Sequence, residues 1–133
     1  MDERFLSVAA RLLESSVSSR GTLRGLVVGV HVASRRLAER LEPILGSLGV
    51  RLIMERAVRI ASVDCPFLQS VAVYEDGLDA DSVLAEKTDT DYEDVRCGFE
   101  RLLGSSLVVL SEMVGKELAL ELVQPALDGE RKR

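Results

Sequence analysis

His31 is the only histidine in a chain of 133 residues, so any phosphoryl relay through an imidazole nitrogen must fall on it. Arg24 and Arg35 lie two turns before it and one turn after it on the same side of a helix, with charges suited to a phosphate. These three residues are the candidate phosphate or ligand contact. The plainer reading is a half-buried or interfacial imidazole in an apolar run. A second constellation is Asp89-Thr90-Asp91-Tyr92-Glu93 with Glu100 at the twelfth place, which imitates a calcium loop. Asp94 stands where that loop needs Gly, and Arg96 where it needs an apolar residue. A solvated acidic opening to a helix fits better. A third is basic: Arg51, Arg56 and Arg59 follow Leu37, Leu41, Leu45 and Gly46-Ser47. A helix-turn-helix over residues 37–60 would aim them at phosphates or bases.

The remaining chemistry is thin. Glu112, Glu117 and Glu121 have no Glu-x-x-His companion, which rules against a di-iron bundle. Cys65 and Cys97 form no Cys-x-x-Cys pair, so no zinc site is expected. Ser111 sits in no nucleophile motif, and Gly25 and Gly29 make no nucleotide fingerprint. We therefore expect no catalytic residue, no metal and no cofactor.

Charge narrows the partners. The net charge is −5, from 17 Lys and Arg against 22 Asp and Glu. Residues 1–60 hold ten Arg and six acids; residues 61–133 hold seven basic and sixteen acidic residues. Opposed halves of this kind can pack within one chain or between two. An acidic whole makes nucleic acid an unfavoured partner. The chain shows neither a secretory signal nor a run long enough to span a membrane, and its two cysteines read as free thiols. The cytoplasm is the simplest location.

The elements that must position these residues read as helices. Phe5, Leu6, Ala9, Leu12, Leu13 and Val17 share one face over residues 3–17, with Asp2 as cap. Thr22 caps a second helix carrying Leu23, Leu26, Val27, Val30, Leu37, Leu41 and Leu45. Gly29 inside it calls for a close backbone approach or is tolerated at about 1 kcal/mol. Pro43 marks a kink or a new first turn, and Gly46 a break. A third helix over about 48–63 repeats Leu48, Leu52, Ile53, Ala57 and Ile60 until Pro66 ends it. Residues 66–74 read as extended or as one helical turn. Residues 75–94, rich in Asp and Glu, read as an acidic loop or short helix. A fourth helix starts near Asp91 or Tyr92, with Val95, Phe99, Leu102, Leu103, Leu110 and Met113 on its inner face and Gly104-Ser105-Ser106 as a thin patch. A fifth runs past Gly115 to Leu127, and 128–133 is a frayed tail. The fold is thus an all-α, single-domain bundle of about five helices over residues 1–127.

Ile44-Leu45-Gly46 and Met113-Val114-Gly115 rhyme between helical runs. The chemistry after each glycine agrees poorly, so ordinary helix-turn composition accounts for the likeness.

Pro43-Ile44-Leu45-Gly46-Ser47-Leu48-Gly49-Val50-Arg51, Arg56-Ala57 and Pro66, with Leu102-Leu103, Met113-Val114-Gly115-Lys116-Glu117 and the Leu-rich end, resemble an uncharacterised family of small all-helical bacterial proteins. The resemblance covers most of residues 20–127. Gln124-Pro125-Ala126 departs from the more regular final helix of such proteins. The resemblance implies a regulatory or signalling context and carries over no catalytic residue.

Apolar surface beside missing catalytic chemistry points to a scaffold or regulator that homodimerises or binds another protein. Leu107, Leu110, Met113 and Leu118 are the expected interface. The rivals are a small-ligand sensor, with Val27, Val30, Val108 and Met113 lining a pocket, and the DNA-binding regulator above.

Overall fold

A computed structural model describes residues 1–128. Among them are α1 (Glu3–Ser16), α2 (Leu23–Asp64), a 3-10 turn at Pro66–Ser70, strands β1 (Ala72–Tyr74) and β2 (Gly77–Asp79), α3 (Val83–Glu86), a 3-10 turn at Asp89–Asp91, α4 (Tyr92–Val114) and α5 (Lys116–Asp128). The all-α class holds, and residues 66–74, read as extended or as one helical turn, are both: a 3-10 turn at Pro66–Ser70 and then the first strand of a small antiparallel hairpin at Ala72–Tyr74. Of the tail expected over 128–133, the part from Gly129 on lies outside the described residues.

The expected caps form. Asp2 accepts from the Arg4 N–H at 2.8 Å and Thr22 from the Gly25 N–H at 3.1 Å. Each satisfies a donor that a helix N-terminus leaves open. The close approach expected at Gly29 is made by Val17, the residue that ends α1: a side chain at Gly29 would meet Val17 Cγ2 at 2.5 Å. Gly104 is thin for the same kind of reason, since Met1 Sδ lies 2.8 Å from where its Cβ would be.

The second and third helices foreseen from the sequence are two arms of α2. Pro43 does not divide them; Gly46 does, with φ 75° and ψ 164°. Gly115 ends α4 with φ 90° and ψ 157°. Only glycine takes this left-handed backbone without a steric cost. The rhyme in the sequence therefore has a geometric counterpart. Leu23 stands to Gly46 as Tyr92 stands to Gly115, and the burial pattern repeats at the same spacing. Leu26 and Val95, Val30 and Phe99, Leu41 and Leu110, Val50 and Ala119, and Met54 and Val123 are buried pairwise.

The arms pack across the halves. Asp89 accepts from the Leu23 N–H at 2.8 Å, so α2 and α4 begin side by side. Past Gly46 the returning arm of α2 (residues 47–64) runs back along α4: Arg56 meets Glu112 at 3.2 Å and Asp64 meets Arg101 at 3.2 Å. Past Gly115, α5 returns along the outgoing arm of α2, where the Arg36 guanidinium donates to the Ala126 carbonyl. The same guanidinium donates to Ser15 Oγ at 2.9 Å and Ser16 Oγ at 2.8 Å, so one cation joins α1, α2 and α5.

The acidic interval, expected as a loop or a short helix, contains β2, the short helix α3 and a 3-10 turn joined by turns. Leu78, Ala80 and Val83 within it are buried in the common core. The hairpin pairs Ala72 with Asp79, Val73 with Leu78 and Tyr74 with Gly77, around a Glu75-Asp76 turn.

Candidate functional site

His31 serves the fold. Its Nδ1 lies 2.9 Å from the Leu78 carbonyl oxygen, and one turn on, Ser34 Oγ accepts from the Leu78 N–H at 2.8 Å. An antiparallel ladder turns both polar groups of alternate residues outward. Here two side chains of α2 take both groups of Leu78. Gly77 permits the contact, because a Cβ there would come within 2.8 Å of Ser34 Oγ. Arg24 and Arg35 are exposed. Arg35 lines a shallow cleft with Glu39, Glu42, Glu75 and Asp76, and those four carboxylates oppose a phosphate.

The acidic residues of the imitation calcium loop act as caps and pairs. Asp89 caps α2, as above. Asp91 accepts from the Thr88 N–H at 2.9 Å in a capping box. Glu93 and Glu100 bracket Arg96, which lowers the Glu93 carboxyl below its ordinary range and raises the Arg96 guanidinium. Among the described residues no three His, Cys, Asp or Glu side chains are grouped to hold a metal. Cys65 and Cys97 are free, and burial raises the Cys65 thiol.

The helix-turn-helix weighed as an alternative over residues 37–60 is absent as such; the two arms form the ordinary helical hairpin that the apolar stripe favours. Helix runs to Gly46 and resumes at once, with no turn segment between. Arg51 pairs with Glu55 at 3.5 Å and Arg56 with Glu112, so carboxylates accompany the cations that would have faced DNA. Val27 and Val30 are closed into the core, Val108 is half-buried and Met113 is exposed. These four residues run from interior to surface and do not line one pocket. No helix of the described residues is long and apolar enough to cross a membrane.

The expected interface divides. Leu107 and Leu110 are buried inside the chain, because α4 sits between α1 and the returning arm of α2. They are core, which corrects their assignment to an interface. Met113 and Leu118 remain exposed, either side of Gly115.

The larger apolar face lies on the returning arm. Leu48 is 69% exposed, Leu52 56%, Ile60 41% and Val63 80%. At 100° per residue, Leu48, Leu52, Arg56 and Ile60 form one ridge at four-residue spacing, with Val63 beside it. The opposite side of the same arm carries Val50, Ile53, Met54, Ala57 and Ala61, all buried. The sequence reading merged the two faces, placing Leu48, Leu52 and Ile60 with Ile53 and Ala57. The distinguishing signal was present: a helix apolar on both sides has more to cover than one core contact. Ile44, 55% exposed, stands before the kink at Gly46, and Met113, 56% exposed, follows Glu112, the partner of Arg56.

No family model matches the chain, and neither a curated protein nor a solved structure is similar to it.

Proposed function

We propose that this protein is a non-enzymatic helical scaffold or regulator that works by pairing with a second copy of itself through the outward face of residues 47–64. One observation carries the reading. Leu48 and Leu52 face solvent on the arm after Gly46, whereas the matching positions after Gly115 are Glu117 and Glu121, also exposed. The two arms share their kink and their buried pattern, so folding does not call for leucine at those sites. Leu48 and Leu52, 69% and 56% exposed, each forgo roughly 1–2 kcal/mol of burial, which a partner recovers. The regulatory context implied by the family resemblance and a cytoplasmic setting, where Cys65 and Cys97 stay thiols, belong to the same reading.

Sedimentation equilibrium tests it. A single helical face is at the small end of interface sizes, so a dissociation constant of roughly 1–100 µM is expected. Leu48→Glu with Leu52→Glu makes the protein monomeric with unchanged helical circular dichroism. A wild-type protein that stays monomeric at several hundred micromolar overturns the proposal.

A further inference from the structure

We infer that the two copies pair with their returning arms antiparallel, about a two-fold axis passing beside Arg56; this rests on the homodimer reading above. The order of residues along the ridge is nearly the same from either end. Two large apolar side chains, Leu48 and Leu52, precede Arg56, and two, Ile60 and Val63, follow it. A two-fold interface is isologous: if one residue meets another, the second meets the first. Centred at Arg56, the antiparallel arrangement sets Leu52 against Ile60 of the other copy and Leu48 against Val63, twice over. A parallel arrangement sets each residue against itself and gains nothing from that order.

Charge agrees with the same partner. The face and its margins carry Arg51, Arg56 and Arg59 against Glu55, Asp64 and Glu112. Five of these are already paired within the chain, Arg51 with Glu55, Arg56 with Glu112 and Asp64 with Arg101, so the face has little unmatched charge to draw a partner of strongly single sign, and a second copy brings the same balanced mixture. In the antiparallel pairing Glu55 falls beside Arg59 of the other copy. Arg56 would be the obstacle, because two guanidinium groups meet at the axis. Glu112 already holds each one from the side at 3.2 Å, so the axis itself is lined by the aliphatic stems of Arg56.

Cysteine cross-linking decides the geometry, using Cys65→Ser with Cys97→Ser as background and sedimentation of the same samples as control. Under mild oxidation, Arg56→Cys is expected to cross-link to its own copy in most of the dimer. Leu48→Cys alone is expected to give almost none, because its two copies lie about 24 Å apart along paired helices. Mixing Leu48→Cys with Val63→Cys restores cross-linking as a heterodimer. Self-linked Leu48→Cys and Val63→Cys would show parallel pairing and overturn the inference. A dimer by sedimentation with no cross-link at any of these positions would place the contact elsewhere and also overturn it, while leaving self-association intact. A monomer throughout would instead remove the homodimer reading itself.

Discussion

The returning arm of α2 and helix α5 are the same construction with different outsides. Both follow a glycine with positive φ. Both bury matching positions, Val50 with Ala119, Met54 with Val123, and Ala57 with Ala126. On the solvent side one shows Leu48 and Leu52, the other Glu117 and Glu121. The inward positions are set by packing, so they are alike. The outward ones are free of that demand, and there the two arms differ. The long helices differ in a parallel way. The outgoing arm of α2 faces a hairpin and carries His31 and Ser34, which bind strand backbone. At the same places α4 has Glu100 and Leu103, where its neighbour is α1, a helix whose backbone is already satisfied.

The sharpest way to break the first contrast is to copy one outside onto the other. Glu117→Leu with Glu121→Leu gives α5 an apolar face of its own. We expect species larger than dimers by sedimentation, with apparent association strengthened on the order of 100-fold, because two separate sticky faces no longer close on themselves. An unchanged dimer would mean that outward leucines at these two positions do not by themselves make an associating face. Next in size is Ser34→Ala, which leaves the buried Leu78 N–H without its acceptor. A loss of about 2 kcal/mol in urea unfolding is expected, whereas Glu100→Ala on α4 should cost less than half of that. Gly46→Ala and Gly115→Ala should each lose about 1–2 kcal/mol, by nearly equal amounts, since nothing lies within 4 Å of either Cβ position and only the left-handed backbone resists. A loss at one alone would show that the two kinks are not equivalent. The smallest effect concerns Asp2. The backbone N–H of Arg4, then its guanidinium and Lys116, hold its carboxyl at about 2 against 3.8 unperturbed. A folded-state value below the unfolded one means a stabilisation that is complete above about pH 4. It fades as pH falls toward 2 and is absent in Asp2→Asn. An NMR titration of the Asp2 carboxyl with a midpoint near 3.8 would contradict this.

The helices were legible because their signals are local. Phe5 to Leu13 repeat at three and four, Asp2 and Thr22 stand at the N-caps, and Gly46 and Gly115 stand where helical runs stop. The hairpin was hidden: its strands are three residues each, and Leu78 and Val83 are embedded among acids that read as a solvated loop. What fixes them is distant, since Ser34 and His31 lie more than forty residues earlier. Two of the expected interface residues, Leu107 and Leu110, are core for a related reason. Leu107 and Leu110 look the same in sequence as Leu48 and Leu52. Which pair is covered depends on how the arms fold back, and spacing along the chain holds no record of that. The rhyme at the two glycines was visible but was assigned to ordinary helix-turn composition, whereas the structure repeats the kink and the buried positions at the same spacing. Its extent was not legible, because the buried pairs match in size and polarity only loosely, as Leu37 and Ser106 do.

Because each returning arm lies on the long helix of the opposite half, neither half holds a finished core. A fragment ending near Pro66 would leave the inner side of residues 47–64 bare, and a fragment beginning there would lack the seat for α5. Unfolding is therefore expected as one cooperative transition, with the slowest-exchanging amides of α2 and α4 sharing a single opening free energy. The arm that carries Leu48 and Leu52 is held by the same transition, so it stays in place until the whole molecule gives way.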